Sequence, residues 1–120
     1  MRKIAAWSLV TCSLLALAMP AFAAEKVTKT GEVIDSACYI SKGAKGEGHR
    51  GCAQKCADKG IPLALLEDGT NQVIWLLAAD HSSANAQLRP YADQKVKITG
   101  EMSERAGEKL LVIDKIEPAS

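Results

Sequence analysis

Aromatic residues are scarce. The 120-residue chain has two Trp, two Tyr and one Phe, and beyond residue 23 only Tyr39, Trp75 and Tyr91 remain. Single-stranded nucleic acids are held by several stacking platforms in a basic groove, so the composition disfavours that class of partner. An excess of one charge is lacking too: 15 Lys plus Arg stand against 14 Asp plus Glu, and nothing pulls on a phosphate backbone. No apolar run reaches the roughly 20 residues of a bilayer-spanning helix; Ile4 to Met19 is 16 residues. Neither Cys-x-x-Cys nor Cys-x-x-Cys-His occurs, which removes covalent haem attachment and leaves a thiol redox role the least favoured use of the cysteines. There is no repeat, and no nucleophile, base and orienting group stand together, so an enzyme is not expected.

What is present begins with an address label. Arg2 and Lys3 precede the apolar run, Pro20 breaks it, and Ala21-Phe22-Ala23 offers the small residues of a signal-peptidase site. Residues 1–23 therefore read as a signal peptide, with Ala24 the first residue after cleavage. Lipid attachment at Cys12 is disfavoured because Thr11 precedes it rather than Gly or Ala. The remainder, 24–120, has 97 residues and loses two of the 15 basic side chains, so 13 stand against 14 acidic ones. It is expected to be one small domain, exported to the periplasm or outside the cell, with no membrane contact once cleaved. A domain of this size buries a modest share of its surface and gains from a covalent or metal staple.

Periodicity predicts five strands and two helices. The first strand covers Lys29–Asp35, with Gly31 marking a bend or a close backbone approach; residues 24–30 are short of core-formers. Ser41 to Gly48 has three glycines and reads as a loop. From His49 to Lys59, Cys52, Ala53, Cys56 and Ala57 share one helical face, and Gly60 stands where a C-terminal cap belongs. Ile61, Leu63 and Leu65 alternate, a polar turn spans Glu67–Asn71, and Val73–Leu77 completes a hairpin. Ala84–Asp93 fits a short helix that Pro90 must kink or end. Val96 and Ile98 face inward on a fourth strand stopping at Gly100, Met102–Gly107 is a loop, and Lys109–Ile116 is the fifth strand. On that strand Leu110, Val112 and Ile116 share one face and Leu111 and Ile113 the other. Trp75 reads as core. This mainly β order, with a helix between strands three and four, is that of a five-stranded OB-like barrel, the cysteine-bearing helix being inserted between strands one and two.

The chemistry concentrates in that insertion. Cys38, Cys52 and Cys56 are three cysteines, so at most one internal disulfide forms and one thiol is left. Cys52 and Cys56, four apart on a helix, are held too far apart for an undistorted bond, which leaves Cys38 with either. Adding His49 makes a set of three sulfurs and an imidazole suited to zinc or copper(I). At about 100° per residue, His49, Cys52 and Cys56 fall within an arc of about 60°, but all three meet one ion only if His49 precedes the helix proper. The plainer reading has cysteines and alanines packing closely, a solvated His49 and one stapling disulfide in a structural or interaction domain with an unknown protein partner. Gly46 to Gly51 matches G-x-G-x-x-G by coincidence, since no strand leads directly into it and no second βαβ half fits. Asp80 and His81 read as an exposed polar loop, and Asp35 as a turn cap.

Two resemblances attach to these residues. Cys-x-x-x-Cys with a nearby His is similar to the copper site of the Sco-type copper chaperones, but that likeness ends at the motif, because those proteins are thioredoxin-like. The wider pattern, Gly31-Glu32-Val33-Ile34-Asp35 with Cys38, then His49-x-x-Cys52-Ala53-x-x-Cys56-Ala57 with Gly60 and Pro62, resembles small exported bacterial proteins with an OB-like domain. Most of those are known only as hypothetical proteins. The resemblance implies that the Cys/His block is a family feature and carries no activity with it.

Overall fold

The computed structural model describes residues 24–119; residues 1–23, which read as a signal peptide, lie outside them. Five strands, β1 (Glu25–Asp35), β2 (Leu63–Glu67), β3 (Val73–Leu77), β4 (Lys95–Arg105) and β5 (Glu108–Pro118), close into a barrel in the order β1-β2-β3-β5-β4. Every pairing is antiparallel except β3 with β5, and β4 returns to β1 to complete the closure. Two helices, α1 (Ser36–Lys42) and α2 (Arg50–Asp58), separate β1 from β2, and α3 (Asn85–Leu88) lies between β3 and β4. This is the OB-like barrel expected from the sequence, with the cysteine helix α2 in the β1–β2 connection.

Alternation accounts for the interior. Val33, Leu63, Leu65, Ile74, Leu76, Val96, Ile98, Leu111 and Ile113 are buried in one cluster, closed at one end by Ala57, Ala84 and Leu88. β2 is buried along its whole length because its outward side chains, Ala64 and Leu66, are covered as well: with Ile34 they form a second cluster against Tyr39 of α1, Val73 and Trp75. A strand covered on both faces reads as a continuous apolar run, which is what Leu63–Leu66 is. Gly31 and Gly100 are the close approaches that let the barrel curve. A Cβ at Gly31 would lie 2.1 Å from the Leu66 carbonyl oxygen, and one at Gly100 would lie 2.0 Å from that of Val112.

Five readings change. β1 begins at Glu25, because residues 25–32 pair with β4 down to Met102 and need no core-forming side chains to do so. α1 occupies a stretch read as connecting residues and loop. β4 and β5 run on through the supposed Met102–Gly107 loop to a two-residue turn at Ala106 and Gly107, both left-handed (φ 52° and 80°), the geometry that matches strand twist in a tight hairpin. Ile116 packs on the interior with Leu111 and Ile113, because the β4–β5 register shifts between Thr99 and Gly100 and skips Asp114. One extra residue inverts the alternation beyond it. Trp75, read as core, is half-buried on the outer face, its Nε1 donating to Glu108 Oε2 at 2.8 Å.

The β2–β3 turn depends on a nearly buried carboxylate. Glu67 accepts from Thr70 Oγ1 at 2.7 Å and pairs with Lys29 Nζ at 2.8 Å, and Lys29 and Thr70 hold it below the ordinary carboxylate range. A depressed folded pKa means that this stabilisation is present above the ordinary value of 4.5 and is lost as pH falls through the folded one. Glu67→Gln is expected to cost about 1–2 kcal/mol at pH 7. In melts at successively lower pH, the gap from the parent protein should shrink toward zero.

Candidate metal centre

Asp35 ends β1 and starts α1. It is fully buried, and its Oδ1 accepts from the Cys38 N–H at 3.1 Å, capping the helix. A short carboxylate at this position satisfies a donor the helix leaves free, worth about 1 kcal/mol. Gly43 closes the other end with φ 68°. The Ser36 N–H and Oγ both donate to the Pro62 carbonyl, at 3.2 and 2.6 Å, so the start of α1 is tied to the residue preceding β2. Cys38, three residues past the barrel strand, is pinned by these bonds.

α2 brings the other sulfurs. Ala53 and Ala57 are buried, while Cys56 is half-buried and Cys52 exposed. The shared small-residue face therefore divides, alanines to the core and cysteines to its margin. The Arg50 guanidinium donates to the Pro90 carbonyl at 2.8 Å, and Arg89 pairs with Asp58 through two bonds of 2.8 and 3.0 Å. Asn85 joins three segments: Nδ2 donates to the carbonyls of Ala57 and Ile61 at 3.1 and 2.9 Å, and Oδ1 accepts from the Leu63 N–H at 3.0 Å. His49 closes a 3-10 turn over Glu47–His49 and immediately precedes α2.

The three thiols are free, and their sulfurs lie within 4.8 Å of one another. Within the same limit, Cys38 Sγ also groups with a carboxylate oxygen of Asp35 and a ring nitrogen of His49. Cysteine, histidine and aspartate groups at this separation could hold a metal ion. Of the four residues marked in the sequence, Cys38, Cys52 and Cys56 come together, and His49 joins Cys38 and Asp35. Asp35 is a turn cap as read, and it is a donor besides.

The electrostatics are those of surplus negative charge. The Asp35 carboxylate beside it, then burial, push the Cys56 thiol up to about 12, and the same causes raise Cys38. Burial works to raise Asp35 itself, but the Cys38 N–H and the neighbouring thiols outweigh it and bring the carboxyl below its ordinary range. Across the site, His49 Nδ1 lies 3.1 Å from Asp93 Oδ2, whose side chain is fully buried. Burial raises Asp93; His49 works against that, and Glu32 and Asp35 add to it. Among the described residues, three buried side-chain oxygens lack a hydrogen-bond partner: Glu32 Oε2, Asp35 Oδ2 and Asp93 Oδ1. All three are carboxylate oxygens, and electrostatics couples Asp93 to the other two residues.

Asp93 and Asn85 escaped the sequence reading because both lie in the segment taken as one helix, Ala84–Asp93. Pro90 ends that helix early, in a 3-10 turn over Arg89–Tyr91. Asp93 then adopts φ 54°, held to β1 by its N–H to the Val33 carbonyl at 2.7 Å. An Asp shortly after a helix-breaking Pro was the available signal, since Asp tolerates this conformation better than most residues. Asp80 forms an exposed turn with Ser82 and takes no part in the cluster. Comparison with known proteins finds no matching family model, curated protein or solved structure, so the site is read from its own geometry.

Proposed function

We propose that the protein is an exported, non-enzymatic binding module whose Cys38, His49, Cys52 and Cys56 ligate a transition metal, zinc or copper. The observation that carries this reading is the convergence of three free sulfurs, contributed by two separate helices, beside a buried carboxylate with an unpartnered oxygen. Close packing of small residues accounts for Ala53 and Ala57 and needs no thiols. Asp93 supports His49 as a ligand: a carboxylate accepting from Nδ1–H leaves the Nε2 lone pair free and orients the ring. Binding would exchange the thiol protons of Cys38 and Cys56 for a cation and relieve the charge that keeps those protons in place.

Intact mass of the isolated protein, native and denatured, tests the reading together with thiol counting. A metal adduct is expected in the native spectrum only, with three thiols alkylated after chelation and a denatured mass beginning at Ala24. No adduct, with two thiols protected until reductant is added, would replace it with a disulfide-stapled interaction domain.

A further inference from the structure

The two donor groups share one residue. Cys38, Cys52 and Cys56 form one triad; Asp35, Cys38 and His49 form the other; among the described residues no such group joins His49 to Cys52 or Cys56. Two ligands of one ion cannot be farther apart than the sum of their bond lengths, about 4.3–4.6 Å for zinc with sulfur and nitrogen. A single ion in this arrangement therefore cannot take His49 together with Cys52 and Cys56, and leaves donors unused. We propose that the centre holds two divalent ions, one in each triad, with the Cys38 thiolate bridging them. This rests on the metal-binding reading above and extends it from an ion to a pair.

Charge and burial support the pair. Three thiolates and the Asp35 carboxylate carry four negative charges, which two divalent cations neutralise and one leaves half unmet. The unmet half would stand beside Asp93, a buried carboxylate that already feels Glu32 and Asp35. The two positions differ in character. The first is all sulfur and opens to solvent at Cys52. The second mixes oxygen, nitrogen and sulfur, contains the fully buried Asp35, and has its imidazole fixed by Asp93. Loading is ligand exchange: each thiol gives its proton to solvent as its sulfur binds, and no oxidation state changes.

The test is titration of the reduced protein, as isolated after expression of the full chain, with cadmium(II) in place of zinc. Native mass spectrometry counts ions, and cadmium-113 NMR resolves their surroundings. Two ions per chain and two resonances are expected, one shifted as for a sulfur-rich site and one as for a mixed site. Cys52→Ser and His49→Gln should each retain one ion, of opposite type, and Cys38→Ser should bind neither tightly. Saturation of the unsubstituted protein at one ion overturns the pair and leaves the metal-binding reading intact. Failure to bind any ion overturns both. The count on the unsubstituted protein decides even if a variant does not fold.

Discussion

Zinc added to the reduced protein is expected to raise its melting temperature by about 10–20 °C. A ligand present at 100 times its dissociation constant stabilises by about 2.7 kcal/mol, and in a domain of this size each kcal/mol moves the midpoint by about 4–8 °C. The effect is large because the donors come from separate parts of the chain: Asp35 and Cys38 from the junction of β1 and α1, His49 from before α2, and Cys52 and Cys56 from α2. An ion bound there ties the whole β1–β2 connection to the barrel. Chelator should reverse the shift completely. The gain should grow with pH, because the raised Cys38 and Cys56 thiols must lose protons to bind. A protein that ignores chelator but loses about 2–5 kcal/mol of stability in reductant would be held by a disulfide instead.

Asn85→Ala is expected to destabilise the domain by about 3–5 kcal/mol, in denaturant unfolding without metal. Its side chain satisfies the carbonyls of Ala57 and Ile61 and the N–H of Leu63. Each group left unpaired out of reach of water costs about 1–3 kcal/mol. Asn85→Asp keeps the acceptor for Leu63 and loses both donors, so it should be destabilised as well, with two carbonyls facing a carboxylate. Because these bonds fix the C-terminal end of α2 to the start of β2, the alanine variant should also bind metal more weakly while keeping every ligand. Unchanged stability in Asn85→Ala would show that solvent replaces these bonds without loss.

Local signals made much of the candidate site legible. Cys52 and Cys56 share a helix face through their spacing alone, and Gly60 ends that helix with φ 94° as a cap residue should. The Asp35–Cys38 spacing and Gly43 together outline α1, yet the glycines from Gly43 onward make its last residues, from Ser41, read as loop. Cys38 could be named a ligand from composition, but its place in two donor groups depends on where α2 packs against α1. His49 shows the same division: its position ahead of α2 was readable, and its bond to Asp93, 44 residues away, was not.

By itself the sequence determined the five-stranded barrel, the order of its elements along the chain and the inserted cysteine helix, because alternation, turn residues and helical spacing are local properties that survive into the fold. Val96 and Ile98 lie inside for that reason. The tertiary structure alone decided which way Ile116 faces, since the skipped Asp114 inverts alternation only where β5 meets β4. It alone placed Trp75 on the outer wall, beneath no second sheet but beside Tyr39 and Glu108. It alone brought Asp93, from the far side of Pro90, into the field of His49, Glu32 and Asp35, because chain segments distant in sequence approach only when the closing strands force them together.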